Sequence, residues 1–269
     1  MSKIKKLGLW MISAIIMISA AGCAKSAETT APVAEKDFLE TIKENGVLKV
    51  GTEGTYPPFT YHDDADNLVG YDVEIAQAIG EALGVEVEFV ETKWDAMIAG
   101  LDAKRYDIVV NQVSITEERQ QKYDFSIPYT ISKAVLIVRA EEEAINSFET
   151  LAGKKSAQSL TSNFAKTAEK YGAELVGTDG FNQSIELVIS KRADATINDD
   201  VTFYDYLKQK PDAQIKIVAS EEDASKSAVL IRKGNDTFVK AVNEALEKLQ
   251  ADGTIKAISE KYFGADISK

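Results

Sequence analysis

From residue 47 onward, the sequence alternates between the apolar periodicity of strands and that of helices. Strands favour β-branched residues and a period of two, whereas an amphipathic helix repeats its apolar face every three or four residues. This alternation predicts an α/β fold and argues against separate all-α and all-β blocks. The first predicted elements are a strand at 48–51, a helix at 71–83 that Gly84 ends, a strand at 85–90, a helix at 94–103 and a strand at 106–111.

A weak internal repeat indicates two similar lobes. Residues 104–112 (KRYDIVVNQ) are similar to residues 191–199 (KRADATIND), and each segment ends a predicted strand in amide or acid residues. Likewise, the strand that leads into 53–56 has a counterpart at 155–159, which leads into 160–163. Ligands of open α/β sheets bind beyond the carboxyl ends of strands, so four polar strand ends are expected to face one cleft. The alternative is that Lys-Arg-x-Asp is a common turn from helix to strand.

Two extended apolar segments, 132–139 and 226–232, are predicted to cross between the lobes as a hinge of two parallel strands. The first lobe is then discontinuous and comprises 38–131 and 229–269, with the second lobe at 138–222. The returning tail predicts two amphipathic helices, whose apolar faces are Phe238, Val242, Ala245, Leu246 and Leu249, then Ile255, Ile258 and Phe263.

The N-terminal residues predict export. Residues 1–22 hold three lysines and then an apolar run that is shorter than the roughly 20 residues of a membrane span, as in a signal peptide. Ala20-Ala21-Gly22-Cys23 resembles the lipobox of bacterial lipoproteins, in which the cysteine is lipidated, although a larger aliphatic residue is usual in place of Ala20. Cys23 is the only cysteine, which excludes an internal disulfide, and the alternative to lipidation is a free thiol. Residues 23–37 predict the lipidated cysteine and a flexible tether.

Charge excludes one class of partner. The chain has 31 basic and 43 acidic residues, and loss of the three signal lysines leaves 28 basic residues against the same 43. Nucleic acid and anionic membrane surfaces attract the opposite charge, so neither is an expected partner of the mature protein. A membrane contact is therefore expected only through the N-terminal lipid.

Segment 107–119 (DIVVNQVSITEER) carries the strongest signal for a ligand. Its valines predict a buried strand, and Thr116 followed by two glutamates predicts a helix N-cap with Arg119 in the first turn. A guanidinium can bind both oxygens of a carboxylate, here beside the hydroxyl of Ser114 and unpaired amide groups. The alternative is an ordinary turn between strand and helix with a solvated arginine.

Several motifs together resemble one protein family. Residues 70–83 (GYDVEIAQAIGEAL) are similar to the signature of bacterial extracellular solute-binding proteins for polar amino acids, which serve ABC importers. The resemblance covers nearly everything after the tether, and within the family it is closest to lipoproteins that bind L-cystine. Its further motifs are 53–59 (EGTYPPF), 114–119 (SITEER), 124–129 (DFSIPY) and 252–264, and those similar to cystine-binding members are 93–105 and 111–114.

This resemblance implies a fold and a set of partners. The fold is a periplasmic-binding-protein-like pair of α/β lobes with two hinge strands, and the protein is a monomer that binds an amino acid without converting it. It uses no cofactor and no metal, and it delivers the ligand, with L-cystine favoured, to an ABC permease and its ATPase. The lipid would hold it on the cell membrane, facing the extracytoplasmic side.

The resemblance also implies binding residues. Arg119 and Ser114 would hold the α-carboxylate together with main-chain amides, and Asp199 would receive the α-ammonium. The second lobe would add an amide or hydroxyl from Ser162 or Asn163. Thr161 departs from the family, whose members often carry glycine there, and this departure makes the assignments in that loop good only to one position.

Five more residues are expected at the same pocket. Tyr56 and Trp94 would flank the ligand side chain, while Glu53, Asn111 and Gln112 would line the wall. The alternative for both aromatic residues is an ordinary place in the core. An aromatic wall suits an aliphatic or disulfide-bearing side chain, because sulfur contributes roughly 0.3 to 1.5 kcal/mol near ring edges.

Other functions have less support. The cyclohexadienyl dehydratases are similar overall, and Glu53 is the candidate general acid for such an enzyme. A receptor-kinase sensor module is a third reading, which the sequence disfavours because no second membrane span follows. His62 and the aspartates beside it predict a solvated turn, since the run lacks the spacing and the glutamate of a calcium loop.

Overall fold

The computed structural model describes residues 37–269. Its helices are α1 Phe38–Asn45, α2 Tyr71–Leu83, α3 Trp94–Asp102, α4 Glu117–Lys122, α5 Asn163–Lys170, α6 Phe181–Ile189, α7 Asp200–Gln209, α8 Asp236–Ala251 and α9 Thr254–Phe263, with one 3-10 turn at Phe148–Leu151. Its strands are β1 Val47–Thr52, β2 Thr55–Tyr56, β3 Thr60–His62, β4 Leu68–Val69, β5 Glu86–Glu91, β6 Ile108–Val109, β7 Tyr123–Phe125, β8 Thr130–Ser132, β9 Ala134–Arg139, β10 Lys155–Gln158, β11 Glu174–Gly177, β12 Ala195–Asp199, β13 Ile215–Ser220, β14 Ser225–Ser227 and β15 Leu230–Arg232.

The strands form two five-stranded sheets of the same design. The first has the order β5-β1-β6-β15-β7 and the second the order β11-β10-β12-β9-β13. In each sheet the first three strands are parallel and the fourth runs antiparallel to the third. The two-lobed α/β fold predicted from the sequence is therefore confirmed, and the first sheet takes strands from both ends of the chain. We call the halves of the molecule that contain these sheets the first and the second lobe.

The internal repeat has a structural counterpart. Strand β6 lies within 104–112 and β12 within 191–199, and each is the third strand of its sheet. In both lobes an aspartate closes the turn before this strand, because Asp107 accepts a hydrogen bond from the main-chain N–H of Lys49 and Asp194 accepts one from Lys155. The repeated Lys-Arg-x-Asp sequence thus fixes the third strand to its neighbour at the same point in both sheets.

A short two-stranded sheet joins the lobes. Strand β8 pairs with β14 over three residue pairs, and the pairing is antiparallel because one strand leaves the first lobe and the other returns to it. The predicted parallel direction is corrected accordingly. The predicted crossings extend beyond this sheet. Most of 132–139 belongs to β9 of the second lobe, and the end of 226–232 belongs to β15 of the first lobe. The lobe boundaries, 38–131 with 229–269 for the first lobe and 138–222 for the second, stay predictions.

The tail returns to the first lobe as two helices, as predicted. Helix α8 packs against α2 and α1, and α9 packs against α2. The apolar side chains that face inward, from Phe238 to Ile258, join the core that surrounds β1. The predicted signal peptide, the lipidation site at Cys23 and nearly all of the tether lie outside the described residues.

Candidate functional site

A small cavity lies between the two lobes. Its wall is formed at the carboxyl ends of strands β1, β6, β10 and β12 and at the starts of helices α3, α5 and α6. This is the cleft that the four polar strand ends predicted. The lining residues are Glu53, Tyr56, Trp94, Asn111 and Gln112 from the first lobe, and Gln158, Ser159, Ser162, Asn163, Phe164, Gly180, Phe181, Ser184, Asn198 and Asp199 from the second.

The lobes touch each other around this cavity. The Tyr56 hydroxyl donates a hydrogen bond of 2.7 Å to Oδ1 of Asn198. Asp95 of α3 accepts hydrogen bonds from the main-chain N–H and the hydroxyl of Thr161, at 3.0 and 2.8 Å. Ion pairs also join Lys93 to Asp179 and Glu118 to Lys166 across the cleft. The structure therefore represents the closed arrangement of the lobes.

Glu53 and Asn111 form a buried pair on the first-lobe wall. The side-chain amide of Asn111 donates to Oε2 of Glu53 at 2.7 Å, and its carbonyl oxygen accepts from the main-chain N–H of Glu53 at 2.8 Å. Each residue follows a parallel strand, which brings both strand ends to one edge. Burial raises the pKa of Glu53 to about 7, and the hydrogen bond from Asn111 partly opposes this rise.

Asp199 is the corresponding acid of the second lobe. It ends β12, immediately before α7, and its side chain is 2% exposed. Ser132 of β8 donates a hydrogen bond of 2.6 Å to Oδ1 of Asp199. Burial raises the pKa of this carboxyl to about 7, although the bond from Ser132 lowers it. A cationic partner would therefore stabilise the ionised form of this carboxyl.

Arg119 is a buried cation in the first turn of α4. The predicted N-cap is confirmed, because the Thr116 hydroxyl accepts from the main-chain N–H of Arg119. The side chain is 7% exposed, Nη1 donates to the main-chain carbonyl of Ser114 at 2.9 Å, and the guanidinium lies 5.4 Å from the Trp94 ring centroid. Burial lowers its pKa to about 10. Within residues 37–269 this guanidinium makes no ion pair with a carboxylate.

The comparisons with known proteins agree with this architecture. Residues 48–265 match the bacterial extracellular solute-binding proteins, family 3. The chain belongs to this family. An L-cystine-binding protein of Bacillus subtilis is 42% identical to it over 264 residues, which cover 98% of each chain. The chain is thus a solute-binding protein that acts outside the cytoplasm, and within residues 37–269 no helix has the length and apolarity to cross a membrane.

Two solved structures of other proteins are similar to this chain. The L-cystine solute receptor of Neisseria gonorrhoeae, unliganded and open, is 48% identical and covers 86% of this chain and 99% of its own, with a TM-score of 0.58. An ancestral amino acid-binding protein, a precursor of cyclohexadienyl dehydratase, is only 32% identical and covers 85% and 100%, yet its TM-score is 0.76. The lower score against the open structure, despite the higher identity, fits lobes that are closed here.

The structure brings most of the predicted site residues together. Eight of the ten lie on the cavity wall: Glu53, Tyr56, Trp94, Asn111, Gln112, Ser162, Asn163 and Asp199. Ser114 and Arg119 do not line the cavity. Arg119 is buried against Trp94 of the cavity wall, and Ser114 is buried next to hinge strand β14. Ser114 forms an isolated antiparallel bridge with Ser227 of β14, so the segment that leads into α4 is joined to the hinge.

Sequence reasoning missed the second-lobe part of the wall. Phe181 and Ser184 lie on α6, which the sequence pattern did not single out, and Phe164 lies one position beyond the predicted loop. Gln158 and Asn198 end β10 and β12, so the strand-end rule applied to them as well.

Within residues 37–269 no group of three or more histidine, cysteine or acidic side chains is arranged to hold a metal ion. His62 lies in the hairpin of β3 and β4, where it contacts Glu91 and Asp66 at the surface. Hydrogen bonds to these two residues raise its pKa.

Proposed function

We propose that the protein captures a free polar amino acid, L-cystine in the first place, between its closing lobes and delivers it to an ABC permease. One observation supports this proposal: Arg119, a buried guanidinium without a carboxylate partner among the described residues, lies against the wall residue Trp94, and Asp199, a buried carboxyl, lines the same cavity from the opposite lobe. An amino acid offers one carboxylate and one ammonium on a single carbon. Such a zwitterion neutralises both anchors at once.

The distribution of the anchors explains closure. Arg119 belongs to the first lobe and Asp199 to the second, so only the closed form satisfies both ends of the ligand. A ligand shifts a conformational equilibrium by its difference in affinity for the two states, and here that difference is a charged hydrogen-bonded contact. Such bonds contribute roughly 1.5 to 3 kcal/mol each. A permease could then distinguish the loaded from the empty protein by shape.

The other wall residues have complementary roles. Ser114 and the loop with Ser162 and Asn163 assist Arg119 at the α-carboxylate, and Tyr56 and Trp94 flank the side chain of the ligand. The hydroxyl of Tyr56 bonds to the second lobe, which leaves its ring as the surface that the ligand meets.

A second buried acid favours cystine over cysteine. Cystine carries two ammonium groups, whereas cysteine carries one. Glu53 lines the cavity together with Asp199, and each is a buried carboxyl without a cationic partner among the described residues. Asp199 is assigned to the first ammonium and Glu53 to the second, with Asn111 holding Glu53 in place. The L-cystine-binding protein of Bacillus subtilis and the cystine receptor of Neisseria gonorrhoeae support the same choice.

The proposed setting is the outer face of the cell membrane. Lipidation at Cys23 after removal of residues 1–22 would anchor the protein, and residues 23–37 would let it reach the permease. The excess of acidic residues keeps the folded part away from anionic lipid surfaces, so the lipid is the membrane contact. The protein is proposed to act as a monomer.

We propose pure binding and no turnover. Glu53 is the one residue that keeps the dehydratase alternative open, because a general acid in a cleft needs a raised pKa and burial raises that of Glu53 to about 7. Incubation of the protein with prephenate or arogenate tests this alternative directly. Measurable loss of water or carbon dioxide from either compound would replace the transport function with an enzymatic one.

The direct test of the ligand is a thermal-shift screen of the purified protein with all amino acids and L-cystine. A ligand at a hundred times its dissociation constant adds about 2.7 kcal/mol to the free energy of unfolding. We expect the largest rise in melting temperature with L-cystine, followed by calorimetry on that ligand. If no amino acid changes the melting temperature, the proposed ligand class is wrong.

A further inference from the structure

Asp72 is a carboxylate that lies inside the protein next to the cavity but does not line it. It sits in the first turn of α2, and its side chain is 1% exposed. Both of its oxygens bind one residue, Gln112: Oδ2 accepts from the main-chain N–H at 2.8 Å, and Oδ1 accepts from the side-chain Nε2 at 2.7 Å. Residues 72 and 112 are far apart in the sequence, so this double contact is a feature of the folded state alone.

Gln112 is held in a conformation that it would not adopt freely. Its φ angle is 49°, in the left-handed region that residues with a Cβ atom rarely adopt. A carboxylate that accepts a bond from the main-chain N–H offsets the cost of this conformation. The backbone turn at Gln112 directs the chain away from β6 and toward the hinge, and it leaves the side chain on the cavity wall.

The same carboxylate sets the direction of the Gln112 amide. Burial raises the pKa of Asp72 to about 7; above that pH the carboxylate is ionised and only accepts hydrogen bonds, so the NH2 end of the Gln112 amide must face it. Its second proton is donated to the Thr130 hydroxyl at 3.2 Å. Both protons are thus used within the protein, and Oε1 of Gln112, which is buried, has no hydrogen-bond partner among the described residues. A buried acceptor without a partner costs free energy unless a ligand supplies a donor.

The hinge strand places this acceptor beside Asp199. Thr130 and Ser132 are two residues apart on β8, so they point to the same side of the strand at a spacing of roughly 6 to 7 Å. Thr130 bonds Gln112, and Ser132 bonds Asp199. The free acceptor of Gln112 and the carboxylate of Asp199 are therefore supported side by side by one strand. An ammonium group has three N–H donors and can satisfy both.

We propose that Asp72 is a positioning residue that fixes the amide of Gln112 so that Oε1 faces the cavity as a second acceptor for the ligand ammonium, beside Asp199. This inference rests on the proposed function, since it assigns a further contact to the amino acid in the same site. In this proposal Asp72 acts on the ligand through Gln112; the hydroxyl of Tyr129 also interacts with its carboxyl. A ligand with a weaker donor at this position would leave Oε1 without a partner and bind more weakly.

A double-mutant cycle tests the inference by calorimetry with L-cystine. We expect Asp72→Asn to weaken binding about 10- to 100-fold, because the new amide can donate to Oε1 and turn the acceptor away from the ligand. In the Gln112→Ala background, Asp72→Asn should change affinity less than twofold. The matched control is Glu74→Gln, which removes a carboxylate from the same turn of α2 that binds Lys261 and Tyr262 outside the cavity.

A purely structural role for Asp72 predicts a different cycle. Asp72→Asn would then weaken binding by the same factor with and without Gln112, and that result would overturn the proposal. Thermal melting of each variant without ligand separates a loss of stability from a loss of affinity. The cycle itself, rather than either single variant, carries the conclusion.

A spectroscopic arm does not depend on the ligand. The side-chain NH2 signals of Gln112 in a ¹H–¹⁵N spectrum of the ligand-free protein are identified by their absence in Gln112→Ala. These signals should shift in Asp72→Asn and stay in place in Glu74→Gln; an unchanged position in Asp72→Asn would overturn the proposed positioning of Gln112 by Asp72. If the wild-type protein binds no amino acid, the proposed function fails, while this spectrum still decides whether Asp72 orients Gln112.

Discussion

The hydroxyl of Tyr56, in the first lobe, donates a 2.7 Å hydrogen bond to the side-chain carbonyl of Asn198 in the second lobe. Asn198 also accepts a bond from the main-chain N–H of Asp199, at 2.8 Å. The residue proposed to flank the ligand side chain is thus hydrogen-bonded to the neighbour of Asp199, the proposed ammonium anchor. This tie exists only while the lobes are closed.

Replacing Tyr56 by phenylalanine removes this tie and keeps the aromatic ring. A neutral hydrogen bond contributes about 0.5 to 1.5 kcal/mol, so we expect L-cystine to bind about 2- to 12-fold more weakly. Calorimetry measures this change, and Tyr204→Phe at the exposed surface is the matched control. Equal affinities of Tyr56→Phe and wild type would argue against a role of the tie in closure.

Replacing Arg119 by alanine removes the buried cation. The ligand carboxylate would then be desolvated without a partner, which costs about 2 to 5 kcal/mol, so we expect binding to weaken well over tenfold. Arg105→Ala, at an exposed position before β6, should leave the affinity unchanged. Asp199→Ala should have an effect similar to that of Arg119→Ala. An affinity within twofold of wild type in either site variant would contradict the anchor assignment.

The pH dependence of stability follows from three buried acids. Burial raises the pKa of Glu53, Asp72 and Asp199 to about 7, whereas carboxyls of an unfolded chain titrate near pH 4. Between about pH 4 and 7 the folded protein therefore binds more protons than the unfolded chain. The contribution of these groups to the free energy of unfolding must fall as pH rises through that window and level off above it.

Denaturation of the ligand-free protein at pH 5, 6, 7 and 8 checks this expectation. Exposed acids whose pKa is lowered, such as Glu118, act in the opposite direction, so the comparison is made with Asp199→Asn. The variant should gain stability relative to wild type as pH rises from 5 to 7. Affinity for an ammonium needs ionised acids and should instead strengthen over the same range. A constant difference between the two proteins would refute the shifted pKa of Asp199.

Asp95 joins the two lobes at a point outside the cavity, so its replacement tests whether this contact stabilises the closed state. Its carboxylate accepts from the Thr161 main-chain N–H and hydroxyl, and from the Leu160 main-chain N–H at 3.3 Å. The contact is exposed to solvent, so Asp95→Ala should weaken L-cystine binding only a few-fold, mainly through faster dissociation. Stopped-flow fluorescence measures the dissociation rate, with Glu86→Ala as the exposed control. An unchanged dissociation rate would mean that the contact of Asp95 with Thr161 and Leu160 does not stabilise the closed state.

Lipidation is tested at Cys23. In a strain that processes lipoproteins, the wild-type protein should incorporate labelled palmitate and sediment with membranes, whereas Cys23→Ala should do neither. Ser26→Ala, a change in the tether, should behave like wild type. Membrane association of Cys23→Ala would require another anchor.

Much of the fold was predictable because local signals agree with the tertiary structure. The helix at 71–83 ends at Gly84, whose main-chain φ is 75°, a conformation that glycine adopts without strain. The N-cap at Thr116 was predictable from its hydroxyl and the glutamates that follow it. The repeat of Lys-Arg-x-Asp indicated that each lobe has a matching strand. These features depend on residues within a few positions of one another.

The parts that sequence reasoning missed depend on contacts between distant residues. Nothing local in Tyr71-Asp72-Val73 shows that Asp72 binds Gln112 rather than solvent, since an acid in the first turn of a helix is ordinarily exposed. Phe181 reaches the wall because α6 packs on β10, a tertiary contact without a sequence pattern. The hinge was overestimated in length because β9 is apolar on both faces, as a buried strand must be.

The start of the described chain is fastened to the first lobe. Asp37 caps α1 and also accepts a bond from Thr237 of α8, and the ring of Phe38 meets that of Phe238 edge-on at 5.1 Å. A force transmitted through the residues before Asp37 would therefore act on the first lobe, which holds Arg119. If the protein is anchored and binds its ligand as proposed, the first lobe would stay fixed near the membrane, and the second lobe, which carries Asp199, would be the one that moves when the ligand enters or leaves.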